Sequence, residues 1–330
     1  MVSVAMTTYN QEQFIDQAIE SVLSQETDFP VELVIGEDYS TDRTRPIVIQ
    51  YARRYPRKIR LLLRSKNLGP QHNLVETLRA CRGRYIALLE GDDYWTSTQK
   101  LQKQVTFLES HPQCAQCFHA VTFFFQDGRA GPFVEEPAEA LKTVSTLEDL
   151  LRINYMPYCS VMFRRRLLNG FPEWYYTQIA VDWLLFILIA QNGWVGYLDE
   201  TMAAYRMHSR GVWSRLSQFS QQMALLESYE VLKTYFGRRF DKSIRYGRFR
   251  CYYVLAMAHL ESGDLHSARA YAFKSIMQRP FGSRYSSELA IRVVLRSYVP
   301  RVFKLARVFY RAFGTVRKTL SDLNEGTRRV

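Results

Sequence analysis

The chain has 330 residues, 47% of them apolar and 23% charged, which suits about two domains with full cores and excludes a disordered polymer. Its five cysteines are too sparse for a disulfide scaffold, and the longest apolar runs, Trp183 to Ala190 and Cys251 to Ala258, are eight residues each where a membrane-spanning helix needs ~18. Lys and Arg exceed Asp and Glu by twelve, an excess that invites nucleic acid or an anionic membrane as partner.

The first hundred residues alternate short apolar runs with helical periodicity, the pattern of a parallel sheet covered by helices. Strands are predicted to begin at Val2, Glu32, Ile59 and Tyr85, spaced by about one βαβ unit each. Between the first two, Phe14, Ile15, Ala18, Ile19, Val22 and Leu23 share one helical face, with Asn10 placed as a cap. A second helix is expected after Ser40-Thr41-Asp42, ending near Pro56, and a third from about Pro70 to Arg82. Next come a helix over Gln99 to Ser110, a strand including Phe118 to Phe125, and a loop from Gln126 to Val144. Further strands are expected at Cys159 to Phe163 and Trp194 to Tyr197, flanking the apolar helix Val181 to Ala190.

Strand signals stop after Trp213, which places a boundary near Ser214 between a first domain, 1–214, and an all-helical region, 215–330. Within the latter, Tyr253 to Pro280 reads either as a single tetratricopeptide-like helix pair or as an ordinary αα-hairpin closed at Ser262-Gly263-Asp264. Cys114 and Cys117 form a CxxC with His111 and His119 beside it, a pattern zinc could use. The buried strand that follows would contain the second thiol, and free thiols in a reducing compartment are the simpler reading. The N-terminus carries no basic region followed by an apolar core, so a cytoplasmic location is expected.

Ligands of open α/β sheets bind at the carboxyl ends of the strands. Here those ends read Thr7-Thr8-Tyr9-Asn10, Gly36-Glu37-Asp38 and Glu90-Gly91-Asp92-Asp93-Tyr94-Trp95, with no glycine-rich nucleotide loop after the first strand. Two acidic clusters on one sheet edge repel unless a cation sits between them, and oxygen ligands suit Mg²⁺ or Mn²⁺ bound together with a diphosphate. The alternative is that Asp38, Asp42, Asp92 and Asp93 simply cap the helices that follow.

With these residues in place the sequence resembles a family 2 glycosyltransferase of the bacterial surface-polysaccharide type. The resemblance runs from Val2-Ser3-Val4 and Thr7-Thr8-Tyr9-Asn10 through Ser40-Thr41-Asp42-Arg43-Thr44, Asn67-Leu68-Gly69 and Glu90-Gly91-Asp92-Asp93-Tyr94-Trp95. It continues to Asp182-Trp183 and to the segment Tyr205 to Ser214, roughly the first 215 residues. It implies an inverting enzyme with the GT-A fold, a mixed, mostly parallel sheet with helices on both faces, followed here by an all-α C-terminal region. By similarity, Thr8 and Tyr9 would line the base pocket of a nucleotide diphosphate sugar, most simply a UDP-sugar, Asp38 would hydrogen-bond its nucleoside, and Asn10, Asn67, Glu90 and Arg206 would also bind the nucleotide sugar. Glu90-Gly91-Asp92 would stand for the DxD signature, with Asp92 a ligand of Mn²⁺ or Mg²⁺ and Glu90 near the ribose or the metal's water shell.

Glu90 and Glu37 each replace a commoner Asp, and Tyr39 stands where the family often has Gly. Asp182 would be the general base, taking the proton of the acceptor hydroxyl; by itself it would read as a helix N-cap. His208 is a candidate metal ligand or, with Arg206 and Arg210, a stabiliser of the leaving diphosphate, unless it is simply a solvated loop residue. Tyr94, Trp95 and Trp213 are candidates for sugar or acceptor contact, against ordinary core packing.

The basic excess concentrates at the C-terminus: residues 291–330 hold ten Lys or Arg and two acids. Over 300–318, Val302, Leu305, Ala306, Phe309, Phe313 and Val316 share a helical face flanked by Arg301, Lys304, Arg307 and Arg311. Such a helix suits either the surface of an anionic membrane or packing on its own domain. The expected partners are therefore a nucleotide sugar, a saccharide or lipid-linked acceptor, and possible peripheral attachment to the inner face of the plasma membrane, with no nucleic acid. The competing readings are a non-catalytic scaffold and a nucleic-acid-binding protein using the basic C-terminus. No RNP, zinc-finger or helix-turn-helix signature supports the latter, and joint retention of Asp38, Asp92 and Asp182 argues against the former.

Overall fold

The computed structural model describes residues 1–125, 143–208 and 211–278, together with the backbone of 130–132. The described chain divides into two compact units, Met1–Ser217 with Glu227–Ser243, and Gln218–Leu226 with the described residues from Ile244 on. The first unit contains a ten-stranded sheet. Its opening elements are β1 (Val2–Thr8), α1 (Ile15–Leu23), β2 (Val31–Glu37), α2 (Thr44–Arg54), β3 (Ile59–Leu63), α3 (Pro70–Ala80) and β4 (Tyr85–Glu90). All four strands are parallel, the outcome of helical crossovers of one βαβ length.

The remaining elements of this unit are β5 (Tyr94–Trp95), α4 (Lys100–Ser110), β6 (Cys114–Phe125), β7 (Ala130–Pro132), β8 (Val144–Ser145), α5 (Leu147–Arg152), β9 (Met162–Arg164), α6 (Val181–Ala190) and β10 (Trp194–Met207). The strand order is β3-β2-β1-β4-β9-β6-β10-β5, with β7 on β6 and β8 on β10. β9 runs antiparallel to both β4 and β6, whereas β6 and β10 are parallel to each other. The mixed, mostly parallel sheet expected from the sequence is therefore present. Its core joins both halves, from Val2, Val4 and Met6 on β1 to Cys117 and Val121 on β6.

Several boundaries differ from the sequence reading for identifiable reasons. Asn10 does not cap α1: it adopts φ +53°, and its Oδ1 accepts the Thr41 N–H at 2.8 Å, so it ties two loops together. The loop expected over 126–144 contains paired backbone at β7 and β8, and the rest of it lies outside the described residues. Only part of the strand expected at Cys159 to Phe163 forms, because Tyr158–Ser160 is a 3₁₀ turn. β10 is much longer than Trp194 to Tyr197, since register shifts near Leu198 and Thr201 interrupt the alternation by which a strand is recognised.

Cys114 and Cys117 are both buried within β6, and the pair forms no cluster of three with His111 and His119, so the zinc alternative fails. All five cysteines are free and buried. α6 is apolar all round and almost wholly buried; its Trp183 Nε1 donates to the Leu150 carbonyl at 2.9 Å and its ring packs on Tyr229.

Three helices follow: α7 (Gln218–Phe236), α8 (Asp241–Ser262) and α9 (Leu265–Met277). In the second unit α8 and α9 form an antiparallel hairpin around Ala256 and Ala272, with Asp264 accepting the Ser267 N–H at 3.0 Å as the cap of α9. No described helix is long and apolar enough to cross a membrane. The basic segment 300–318 lies outside the described residues.

Candidate active site

β1, β2, β4 and β10 deliver their carboxyl ends to one edge of the sheet, bringing Thr8, Asp38, Glu90 and His208 there. The register pairs Thr8 with Glu37 and Thr7 with Glu90. Immediately after β4 the chain passes close beneath the β1–α1 loop. A Cβ on Gly91 would lie 2.5 Å from Gln11 Oε1, 2.7 Å from Thr8 Oγ1 and 2.8 Å from Ile15 Cδ1, so this position accepts only glycine without rearrangement.

The glycine sets Glu90, Asp92 and Asp93 around one point. One carboxylate oxygen from each lies within 4.8 Å of the others. Asp92 and Asp93 are buried, and Asp92 Oδ1 and Asp93 Oδ2 have no hydrogen-bond partner among the described residues. Burial, reinforced by the Asp92 charge, pushes the carboxyls of Glu90 and Asp93 well up; the Arg206 amide and the Cys159 thiol oppose the shift at Asp93. Buried acceptors left open, on carboxylates that repel one another, are the donor set of a hard divalent cation. None of the three caps a helix, since α4 starts only at Lys100.

The end of β10 frames this cluster. The Arg206 backbone N–H donates to Asp93 Oδ1 at 2.8 Å, and its guanidinium donates to the Asp92 carbonyl at 2.6 Å and to Gln17 Oε1. That guanidinium stacks between Phe14 and Tyr94, 5.0 and 4.7 Å from their ring centroids. His208 is buried, with Nε2 2.9 Å from Asp92 Oδ2 and its ring against Phe14, so it is no solvated loop residue. It touches the acidic cluster through Asp92 without joining the mutual group of three.

Asp182 lies in the first turn of α6, two residues past the N-cap Ala180, so it is not itself the cap. Asn154 Nδ2 donates to its Oδ2 at 3.5 Å. Burial raises its pKa against the lowering effect of the first helical amides and of Asn154. Its charge adds the smallest of the contributions that raise the Glu90 carboxyl.

Asp38 is buried and is used as a loop anchor: Oδ1 accepts the Leu68 N–H at 2.8 Å and Oδ2 the Gly69 N–H at 3.0 Å. Asn67 Oδ1 accepts the same Gly69 N–H at 3.0 Å, so Asp38 and Asn67 jointly fix the loop before α3. It is Asp42, not Asp38, that serves the start of α2, accepting the Thr44 N–H at 2.9 Å. Glu37 is fully buried, ion-paired with Arg45 and accepting the Ser40 N–H at 2.6 Å. Tyr39 adopts φ +64°, a left-handed conformation that favours glycine; its exposed ring lies under Arg45. Thr8 is buried and donates to Gln11 Oε1 at 2.7 Å, whereas Tyr9 is exposed.

Of the three aromatic candidates, Trp95 belongs to the core. Its Nε1 donates to the Cys159 carbonyl at 2.9 Å, and the Lys100 ammonium lies 3.9 Å from its ring centroid, so it is not available to a sugar. Tyr94 and Trp213 are half-buried. Sequence reasoning left Asp93 out of the metal set although it sits within the acidic run. It also missed Phe14 and Gln17, which hold Arg206 and His208. In the sequence Phe14 reads only as one of the apolar residues of the first helix, and nothing marks Gln17.

Residues 3–170 match the profile of Glycosyl transferase family 2. An uncharacterized protein of Mycobacterium tuberculosis (strain ATCC 25618 / H37Rv) is 39% identical over 212 residues, 64% of this chain and 60% of that protein; the match thus spans less than two thirds of that relative's length. The putative glycosyltransferase EpsE of Bacillus subtilis (strain 168) is 32% identical over 235 residues, 68% of this chain and 80% of EpsE.

Among solved structures, the mannosyltransferase PcManGT from Pyrobaculum calidifontis, in complex with GDP-Man and Mn²⁺, superposes with a TM-score of 0.58 at 20% identity. That match covers 95% of this chain and 86% of PcManGT. S. aureus TarS 1-349 in complex with UDP-GlcNAc gives 0.54 at 18% identity, over 82% and 90% of the two chains. The fold is therefore GT-A, and with the profile covering half the sequence, this chain belongs to glycosyl transferase family 2.

Proposed function

We propose that the protein is an inverting glycosyltransferase. It moves a sugar from a nucleotide diphosphate sugar, most simply a UDP-sugar, to a saccharide or lipid-linked acceptor in cell-surface polysaccharide assembly, on the cytoplasmic side of the membrane. The observation that carries this reading is the cluster of Glu90, Asp92 and Asp93 at the sheet edge, with buried oxygens that have no partner among the described residues. Relatives named for teichuronic acid synthesis, TuaG, and minor teichoic acid synthesis, GgaB, support the surface-polymer setting.

In this reading Thr8, Tyr9 and Asn10, with the loop that Asp38 and Asn67 fix, form the nucleoside side of the site. Asp92 and Asp93, with Glu90, hold a divalent cation, Mn²⁺ or Mg²⁺; when bound it neutralises charge on the leaving diphosphate. His208 orients Asp92, and Arg206 adds positive charge at the diphosphate edge. Asp182 takes the proton of the acceptor hydroxyl as that oxygen bonds to the anomeric carbon and the bond from that carbon to the diphosphate oxygen breaks. A carboxyl pKa raised by burial makes Asp182 a stronger base than a solvated aspartate, provided it is ionised at the working pH. Tyr94 and Trp213 remain the aromatic candidates for sugar contact.

Isothermal titration with UDP tests the assignment. Binding is expected to depend on Mn²⁺ and to be abolished by Asp92→Ala; UDP binding equal with and without Mn²⁺ would overturn the metal-site reading.

A further inference from the structure

The amino ends of the strands carry a second built feature, on the opposite edge of the sheet from the acidic cluster. Arg82, Arg84, Arg164, Arg165 and Arg166 line a cavity of about 240 Å³. The turn that carries Arg82 and Arg84 is held against β1: Gly83 N–H donates to Ser3 Oγ at 2.7 Å and Arg84 N–H to the Met1 carbonyl at 2.9 Å. A Cβ on Gly83 would stand 2.4 Å from the Ser3 nitrogen, so this close approach needs the glycine. Antiparallel pairing of Tyr85 with Arg164 brings the end of β9 to the same place, and the Arg165 N–H donates to the Arg84 carbonyl at 3.0 Å. Both arginine segments are thus fixed by main-chain bonds.

The five guanidiniums are not equivalent. Arg164 is buried and spent on the fold, donating to the carbonyls of Cys114, Leu108 and His111 and to the Tyr85 hydroxyl. Arg84 pairs with Glu109 at 2.8 Å, and Arg165 Nε donates to the Gly83 carbonyl at 2.7 Å. The exposed side chains of Arg82 and Arg166 make no hydrogen bond or ion pair among the described residues. The nearby carboxylates, Glu109 and Glu32, do not balance the five positive charges. Several like charges held around one hollow repel unless an anion joins them, and guanidiniums match phosphoryl oxygens in pairs.

We propose that this cavity binds a phosphoryl group, free or carried on a lipid headgroup, through Arg82, Arg165 and Arg166. The site is separate from the one that would hold the nucleotide sugar. Its test is the Arg82→Ala/Arg166→Ala variant of the full chain, compared with the parent and with Asp92→Ala. Inorganic phosphate is titrated calorimetrically, and flotation is measured with phosphatidylcholine vesicles with and without phosphatidic acid.

Both side chains are exposed and unbonded among the described residues, so the melting temperature is expected not to fall. The double variant should bind at least about tenfold more weakly in one arm, while Asp92→Ala matches the parent there. A loss confined to phosphate in solution assigns a free phosphate ligand; a loss confined to phosphatidic acid vesicles assigns a headgroup. Equal binding by the double variant and the parent in both arms, or no binding by the parent in either, overturns the proposal.

Discussion

Replacing Asp92 by Asn removes one charge from three carboxylates whose oxygens lie within 4.8 Å of one another. At that separation a like-charged pair repels by ~3.5 kcal/mol at an effective dielectric constant of about 20, and Asp92 takes part in two of the three pairs. The wild type recovers much of this by holding protons on Glu90 and Asp93, whose folded pKa values are raised above their usual 4.5 and 3.8. The folded state then binds more protons than the unfolded one. Its stability is therefore fully present below those usual values and falls as pH rises through the raised ones.

At pH 8 without metal, Asp92→Asn is expected to be more stable than wild type by ~1–3 kcal/mol. For a unit of this size that is a rise of roughly 2–10 °C in Tm. Asn keeps an oxygen that can accept from His208, so that contact survives. Mn²⁺ at about a hundred times its Kd should stabilise the wild type by ~2.7 kcal/mol and the variant by far less. Scanning calorimetry in EDTA and in Mn²⁺, at pH 6 and pH 8, measures all four quantities. A variant that melts below wild type in EDTA at pH 8, or that keeps the full Mn²⁺ shift, would refute the electrostatic account of the site.

Asp182→Asn should leave UDP affinity unchanged and lower kcat by at least about a hundredfold. Wild-type turnover should rise with pH through a carboxyl pKa above the usual 3.8, as the base ionises. A variant with wild-type turnover would remove Asp182 as base. Gly91→Ala drives a methyl into Thr8, Gln11 and Ile15, and UDP affinity should fall by roughly tenfold or more in calorimetric titration. Trp95→Phe loses the bond to the Cys159 carbonyl and should cost ~1–2 kcal/mol in denaturant unfolding with KM unchanged; a raised KM at wild-type stability would return Trp95 to the substrate.

The parallel half of the sheet was legible because each strand of the βαβ run is a short apolar stretch closed by polar residues, and the boundaries at Val2, Ile59, Tyr85 and Val181–Ala190 coincide with those read from periodicity. β10 was not, because its register shifts break the two-residue period and hide ten of its fourteen residues. The acidic cluster was visible as a run of letters. That Asp93 faces the same point as Glu90 and Asp92 depends on the turn at Gly91, which composition does not encode. Asp38 shows another limit: its residue type suits a ligand contact, but that its oxygens also accept the Leu68 and Gly69 amides depends on a tertiary fold the sequence does not display.

The buried thiols give the protein an internal clock for its own opening. Cys81, Cys114, Cys117 and Cys159 sit in the first unit and Cys251 in the second, all buried, and burial pushes the thiols of Cys81, Cys117 and Cys251 up to about 12. An alkylating reagent can reach them only when the surrounding structure comes apart, and thiolate is scarce until it does. Mass spectrometry of the labelled chain would therefore time the opening of each unit separately, from one sample, without introducing a probe.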